Sequence, residues 1–164
     1  MSRRCDYIRK EYTVSQLAYM AGIMDGEGTF YIGNYSGNRK NGDKHFQTII
    51  IISCIDECLI NWLYNTFGGS KSKYTPNQMA KNCRRQVYKW YAQSNRMLHI
   101  CEEILPYLVI KKRQCEIMIE IRKTYNDLHN IKGRQRVQNL PKEVLELRQS
   151  LMDELRNLHI RHIH

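Results

Sequence analysis

An α+β fold in the order αββαββα, with a four-stranded antiparallel sheet, is predicted by three features of the sequence. Apolar positions switch between helical spacing and a period of two along the chain. Glycine and proline fall at most of the switches, and no segment repeats at the scale of half the chain. Single helices alternating with pairs of strands fit a layer of helices on an antiparallel sheet.

Taken in order, residues 1–12 are polar and basic and read as an arm. Thr13-Val-Ser-Gln16 has the form of a capping box, so a helix is expected to begin there. Val14, Leu17, Ala18, Ala21 and Met24 recur at helical spacing, and Met20 and Ile23 add a second apolar side, as in a helix buried on more than one side. Gly26 and Gly28 are expected to end it. Thr29–Ser36 reads as a strand of period two. After a polar loop over 37–43, His45–Ser53 reads as another, whose run from Ile49 to Ile52 suits a buried strand. Asp56–Phe67 reads as a helix stopped by Gly68-Gly69. Residues 70–76 and 84–93 read as two further strands, joined around Pro76-Asn77. Helices follow over Arg96–Leu105, Ile110–Leu128 and about Pro141–Leu158, Pro141 suiting a first helical turn. The chain therefore reads as one domain over 1–164: the arm, a core over 13–131, and a basic loop with a C-terminal helix over 132–164.

Composition narrows the partners. The 164 residues are 42% hydrophobic, enough for a core without staples. Lys+Arg number 26 against 16 Asp+Glu, a formal charge of +10 that favours a polyanion, either nucleic acid or an anionic membrane surface. The basic residues fall in hairpins and loops, not along one face of an amphipathic helix, which argues against the membrane surface. No apolar run approaches the roughly 18 residues of a span. The start, Met-Ser-Arg-Arg-Cys-Asp-Tyr, has no apolar core of a secretory signal. Cys5, Cys54, Cys58, Cys83, Cys101 and Cys115 are scattered without a CxxC pair, and read as reduced thiols in an intracellular compartment. His159, His162 and His164 are terminal and are not read as a metal site.

Asp25-Gly-Glu-Gly28 is where chemistry concentrates. Glu27 lies at the C-terminal end of an apolar helix, where unpaired carbonyls make the surroundings electronegative. That is a poor place for an isolated carboxylate and a good one for a ligand of a divalent cation. Flanking glycines let the backbone approach a metal or a phosphate closely. A helix-ending turn with solvated acids is the plainer alternative. Ala18, Gly22 and Gly26 recur every four residues, and small residues at that spacing let two helices approach at backbone distance. Two copies packed this way would bring two Glu27 residues together.

Met20-Ala-Gly-Ile-Met-Asp-Gly-Glu-Gly28 resembles the LAGLIDADG motif of homing endonucleases. Ala21, Gly22, Asp25 and Gly28 match letter for letter, Met20, Ile23 and Met24 are apolar substitutes, and Glu27 stands at the second acid. Phe67-Gly68-Gly69 is similar to the family's turn into its third strand. Leu105–Lys112 is similar to the segment carrying its basic active-site residue, and Gly133–Glu146 to its C-terminal region. The resemblance implies a saddle-shaped sheet over DNA with helices on one face. Because the motif occurs once, it also implies a homodimer with Ala18, Gly22, Asp25 and Gly26 at the interface. The implied activity is metal-dependent hydrolysis of both strands of a long, near-palindromic duplex, leaving 3′ overhangs. Glu27 and the Gly26 carbonyl would hold Mg²⁺ (or Mn²⁺ or Ca²⁺), and Lys111 would stabilise charge on the phosphate. Ser53, or Cys54 if the register slips, falls where the family often orders water with a longer polar side chain.

On this resemblance the sheet reads DNA. Tyr31, Gly33 and Tyr35 share a face, and Gln47 on the second strand joins them. Lys71, Lys73 and Thr75 share one parity in the third strand, and Arg85 and Lys89 in the fourth. Arg39, Lys40, Arg134 and Arg136 lie in loops and are expected at phosphates. Two alternatives remain on the same fold: an intron maturase, which would add the chain's own intron RNA as a partner, and a DNA-binding regulator that does not cut. The latter has no need of the acid at Glu27. Richness in Ile, Lys, Asn and Tyr points to an AT-rich genome, that of an organelle, bacterium or phage.

Overall fold

The computed structural model of the protein describes residues 10–36, 44–75, 85–132 and 141–161, with side chains for 10–33, 46–75, 85–125 and 141–160. Its elements are α1 (Val14–Gly26), β1 (Gly28–Ser36), β2 (Lys44–Cys54), α2 (Glu57–Phe67), β3 (Ser70–Tyr74) and β4 (Val87–Gln93). They continue with α3 (Ser94–Ile104), a 3-10 turn over Leu105–Tyr107, α4 (Lys112–Lys132) and α5 (Lys142–Arg161). The expected order holds, with most boundaries shifted by a few residues.

The start of α1 is the capping box read from the sequence. The Gln16 N–H donates to Thr13 Oγ1 at 3.3 Å, and the Thr13 N–H donates to Gln16 Oε1 at 3.0 Å. α1 ends at Gly26 as expected, but without a left-handed glycine cap. Gly26 remains helical, Glu27 is the cap at φ −107°, and its N–H donates to the Ile23 carbonyl at 2.8 Å. Gly28 is needed for a different reason than a left-handed turn: a Cβ there would stand 2.6 Å from Met24 Cα. Left-handed glycines end α2 instead, Gly68 at φ 69° and Gly69 at φ 94°. At Gly69 a Cβ would meet the Tyr91 carbonyl at 2.6 Å, and the neighbouring Gly68 carbonyl accepts from Trp90 Nε1 at 2.7 Å.

The strands form one antiparallel sheet in the order β1-β2-β4-β3. Gly28 pairs with Ile52 and Tyr31 with Ile49; Ile49 in turn pairs with Gln93 and Ile51 with Tyr91. Alternation then separates two faces. One carries Phe30, Ile32, Phe46, Ile50, Ile52, Trp90 and Ala92, all buried. The other carries Thr29, Tyr31, Gln47, Ile49, Ile51, Ser53, Lys89, Tyr91 and Gln93, none of them fully buried. The isoleucine run is thus not buried on both sides: Ile50 and Ile52 are in the core, while Ile49 and Ile51 lie half-buried on the outer face. No helix packs on that face among the described residues, which is why its apolar side chains stay partly in water.

Helices close the inner face. Met20, Ala21 and Met24 of α1, Leu63 and Phe67 of α2, Ile100 and Ile104 of α3, Ile117 and Ile121 of α4 and Leu155 of α5 join the strand residues in one apolar cluster. The last helix is anchored by a charged group that its own sequence does not announce. Arg148 is 1% exposed; its guanidinium lies 3.6 Å from the Tyr125 ring centroid, and its Nε donates to Thr124 Oγ1 at 2.8 Å. Tyr125 in turn donates its hydroxyl to the Phe46 carbonyl at 2.5 Å. Arg113 adds a surface bridge between α4 and α5, 2.8 Å from Glu154. No described helix is long and apolar enough to cross a membrane.

Candidate functional site at the end of the first helix

α1 and β1 meet at Glu27, and two side chains from elsewhere in the chain converge on that junction. The Asp25 carboxylate accepts from three successive backbone N–H groups: Val109 at 2.8 Å, Ile110 at 3.3 Å and Lys111 at 2.9 Å. These lie just ahead of α4, where helix N–H groups have no partner of their own and a carboxylate is favoured. Asp25 therefore fixes the segment that carries Lys111. Lys111 returns the contact. Its ammonium donates to the Met24 carbonyl at 3.0 Å and to the Gly28 carbonyl at 2.7 Å. The electronegative end of α1, read from the sequence as vacant for a cation, is partly occupied by this lysine. Burial pulls the Lys111 ammonium below its ordinary range, and the nearby Asp25 and Glu27 carboxylates pull the other way.

Glu27 itself is exposed, and among the described residues its carboxylate takes no hydrogen bond. A solvent-facing carboxylate beside helix-end carbonyls is a set of hard oxygen donors, the kind that Mg²⁺ takes while completing its shell with water and phosphate oxygens. No three His, Cys, Asp or Glu side chains gather as a metal cluster among the described residues. One chain thus supplies a single carboxylate here, since Asp25 is committed to the α4 segment. Glu27 and Gly26 suit an ion shared with a phosphate, not a closed structural site.

The register puts Ser53, not Cys54, on the outer face. Gly28 pairs with Ile52, so Ser53 is the next residue of β2 beside Glu27, on the outer face and paired with Lys89. Cys54 pairs with Tyr88 and packs against the core, and its thiol donates to the Asp56 carbonyl at 3.2 Å. Burial pushes that thiol up, and the Asp56 and Glu27 charges add to the effect.

The outer face holds Tyr31, Gln47 and Lys89 as expected from their parity. Gly33 shares that parity but is covered, and Arg85 is exposed just before β4. Lys71 and Lys73 are a correction. They pair with Trp90 and Tyr88, which puts them on the helix side of the sheet. Lys71 donates to Asn61 Oδ1 of α2 at 2.6 Å and lies over the Tyr64 ring. Parity within β3 was legible, but its face depends on the register against β4. Thr75 is exposed beyond the end of β3. Arg39, Lys40, Arg134, Arg136 and the Tyr35 side chain lie outside the described residues. Ala18, Gly22 and Gly26 are exposed on α1, and a Cβ at either glycine would meet nothing within 4 Å.

Ile49, Ile51, Tyr91 and Gln93 also lie on the outer face, beyond the residues expected there. The period-two pattern held the signal, since burial of Ile50 and Ile52 forces their neighbours outward.

No protein-family model matches this sequence. No curated protein matches it either. Solved structures do. The chain is similar to the homing endonuclease I-CvuI in complex with its target in the presence of calcium, with a TM-score of 0.68 and 16% identity, covering 88% of this chain and 82% of that one. It is similar to the archaeal intron-encoded homing endonuclease I-Vdi141I complexed with DNA, with a TM-score of 0.67 and 16% identity, covering 88% and 84%. It also matches part of the LAGLIDADG meganuclease I-AabMI bound to uncleaved DNA, with a TM-score of 0.58 and 18% identity, covering 82% of this chain and 42% of that one. With its sheet order, its glycine-ended motif helix and these neighbours together, the chain has the fold of the LAGLIDADG homing endonucleases.

Proposed function

We propose that the protein is a site-specific endonuclease that hydrolyses both strands of a long, near-palindromic DNA duplex as a homodimer, leaving 3′ overhangs. The observation that carries this reading is the exposed Glu27 carboxylate at the end of α1, with Lys111 locked beside it by Asp25. A protein that only bound DNA would gain nothing from an unpaired acid facing a polyanion. The similar structures I-CvuI and I-Vdi141I are homing endonucleases in complex with DNA, which supports the same class of partner here. The formal charge of +10 supports it as well.

In this reading Glu27 and the Gly26 carbonyl hold Mg²⁺, with Mn²⁺ or Ca²⁺ able to take the same oxygens. A bound divalent ion supplies charge neutralisation at the phosphate and a more acidic water. The chain's own groups do the rest. Lys111 presents a positive charge that favours the negative charge developing on the phosphate. Ser53, beside Glu27 on the outer face, offers a hydroxyl to order water. Asp25 positions Lys111 and is not a ligand.

The homodimer rests on α1. Val14 is 66% exposed, and Ala18, Gly22 and Gly26 continue an exposed stripe of small residues along the same helix. Val109, 84% exposed, and Ile110 stand next to its end through their bonds to Asp25. A second copy packed on that stripe removes apolar surface from water and brings two Glu27 residues together.

The test is selection of cleaved duplexes from a randomised library with Mg²⁺. Cutting of both strands by a protein that scatters as a dimer, and none with EDTA, is the expected result. Binding without cutting would assign a non-cleaving regulator. Binding only to structured RNA would assign a maturase. Double-strand cutting by a monomer would overturn the dimer.

A further inference from the structure

Among the described residues, the middle of the sheet's outer face carries little charge. Along its described strand positions in β1, β2 and β4, Lys89 is the one cation. Lys71 and Lys73, which would have added to it, face the helices. What occupies the middle is apolar. Ile49 and Ile51, half-buried, lie side by side on β2, flanked by Tyr31 on β1 and Tyr91 on β4. Immediately beside Ile49, Gln47 Nε2 donates to Gln93 Oε1 at 2.7 Å across the β2–β4 pair. That bond leaves one amide oxygen and one amide N–H₂ group of the pair still available, an acceptor and a donor next to each other.

We propose that this face reads A·T base pairs in the major groove, with Ile49 and Ile51 against thymine C5-methyl groups and the Gln47–Gln93 amide pair on adenine. The inference rests on the DNA reading above and narrows it. Among the four bases only thymine shows an apolar group in the major groove, and adenine shows an acceptor at N7 beside a donor at N6. A donor–acceptor amide pair complements adenine, and a branched apolar side chain complements the methyl. Guanine offers two acceptors and would leave the free amide oxygen without a partner, while cytosine would set Ile49 and Ile51 against no methyl. Phosphate contacts, which carry charge and no sequence, then belong to groups outside the strip.

The experiment uses the full-length protein and a duplex recovered from the selection. Thymines in the bound half-site are replaced one at a time by uracil, which removes only the methyl. The expected result is a roughly three- to five-fold weaker binding at one or two positions per half-site, the loss a buried methyl implies. Ile49→Ser with Ile51→Ser is then expected to bind thymine and uracil duplexes equally, whereas Ile49→Val with Ile51→Val keeps the discrimination. An unchanged unfolding midpoint shows that the serine variant is folded. 5-Methylcytosine carries the same methyl. If a duplex with it at those positions restores binding, the methyl alone is read and the adenine contact is overturned; if it does not, thymine is read with its adenine, as proposed. Equal binding of thymine and uracil duplexes by the unaltered protein overturns the inference while leaving the endonuclease reading intact. Absence of binding to any duplex overturns that reading first.

Discussion

The two faces of this sheet are built from the same strands and differ in what they leave in water. The inner face carries Phe30, Phe46, Ile50, Ile52 and Trp90, each at 2% exposure or less. One residue away on each strand, the outer face carries Tyr31, Gln47, Ile49, Ile51 and Tyr91, all partly accessible. A buried face and a solvent-accessible face are thus separated by a single step of the strand period. They meet again only where the sheet begins, at the α1–β1 junction. There Asp25 and Lys111 tie α1 to the start of α4, and Glu27 points to solvent. A substitution should therefore move stability, cutting or base preference according to which of these three places it touches.

Three substitutions order that expectation by size. Trp90→Ala empties the centre of the inner face and removes the bond to the Gly68 carbonyl. It should cost about 3–5 kcal/mol in urea unfolding. If it cost less than the loss of one methyl, the inner face would not be the core. Asp25→Asn comes next. It removes the charge that holds three N–H groups, at about 1–3 kcal/mol, and it should slow cutting more than it weakens binding because Lys111 loses its support. Unchanged stability with loss of metal binding would make Asp25 a ligand instead. Arg113→Ala should be smallest, below about 1 kcal/mol, because its bridge to Glu154 is largely in water. The Arg113 guanidinium holds the Glu154 carboxyl below its usual range. That small contribution is therefore full above the ordinary carboxylate range and fades as pH falls through the lowered value. A pH titration of unfolding for the variant and its parent checks it, and neither cutting nor base preference should move.

Local rules made much of this legible. The capping box at Thr13 and Gln16, the stop at Gly68-Gly69 and the period of two in β1 are statements about neighbours in sequence, and each stands in the structure. What was not legible depends on contacts between distant parts of the chain. Lys71 reads as a groove-facing cation until the β3–β4 register turns it toward α2. Gly28 reads as a turn residue until Met24 packs against it. Lys111 reads as the basic residue of the site, but only folding brings it to carbonyls 83 and 87 residues earlier. Nothing in the sequence around Arg148 marks it for burial against the Tyr125 ring. In the site, the acid and its helix position followed from the sequence, while the partners that hold Lys111 in place did not.

The proposed function requires Glu27 to serve cutting and not binding. Its most direct test measures both on the same selected duplex, with the parent protein and Glu27→Gln, a change that removes the charge and keeps the shape. The variant is expected to bind with little loss, to bind more weakly as salt rises like its parent, and to cut neither strand in Mg²⁺. A variant that still cuts both strands at the parent's rate would contradict it.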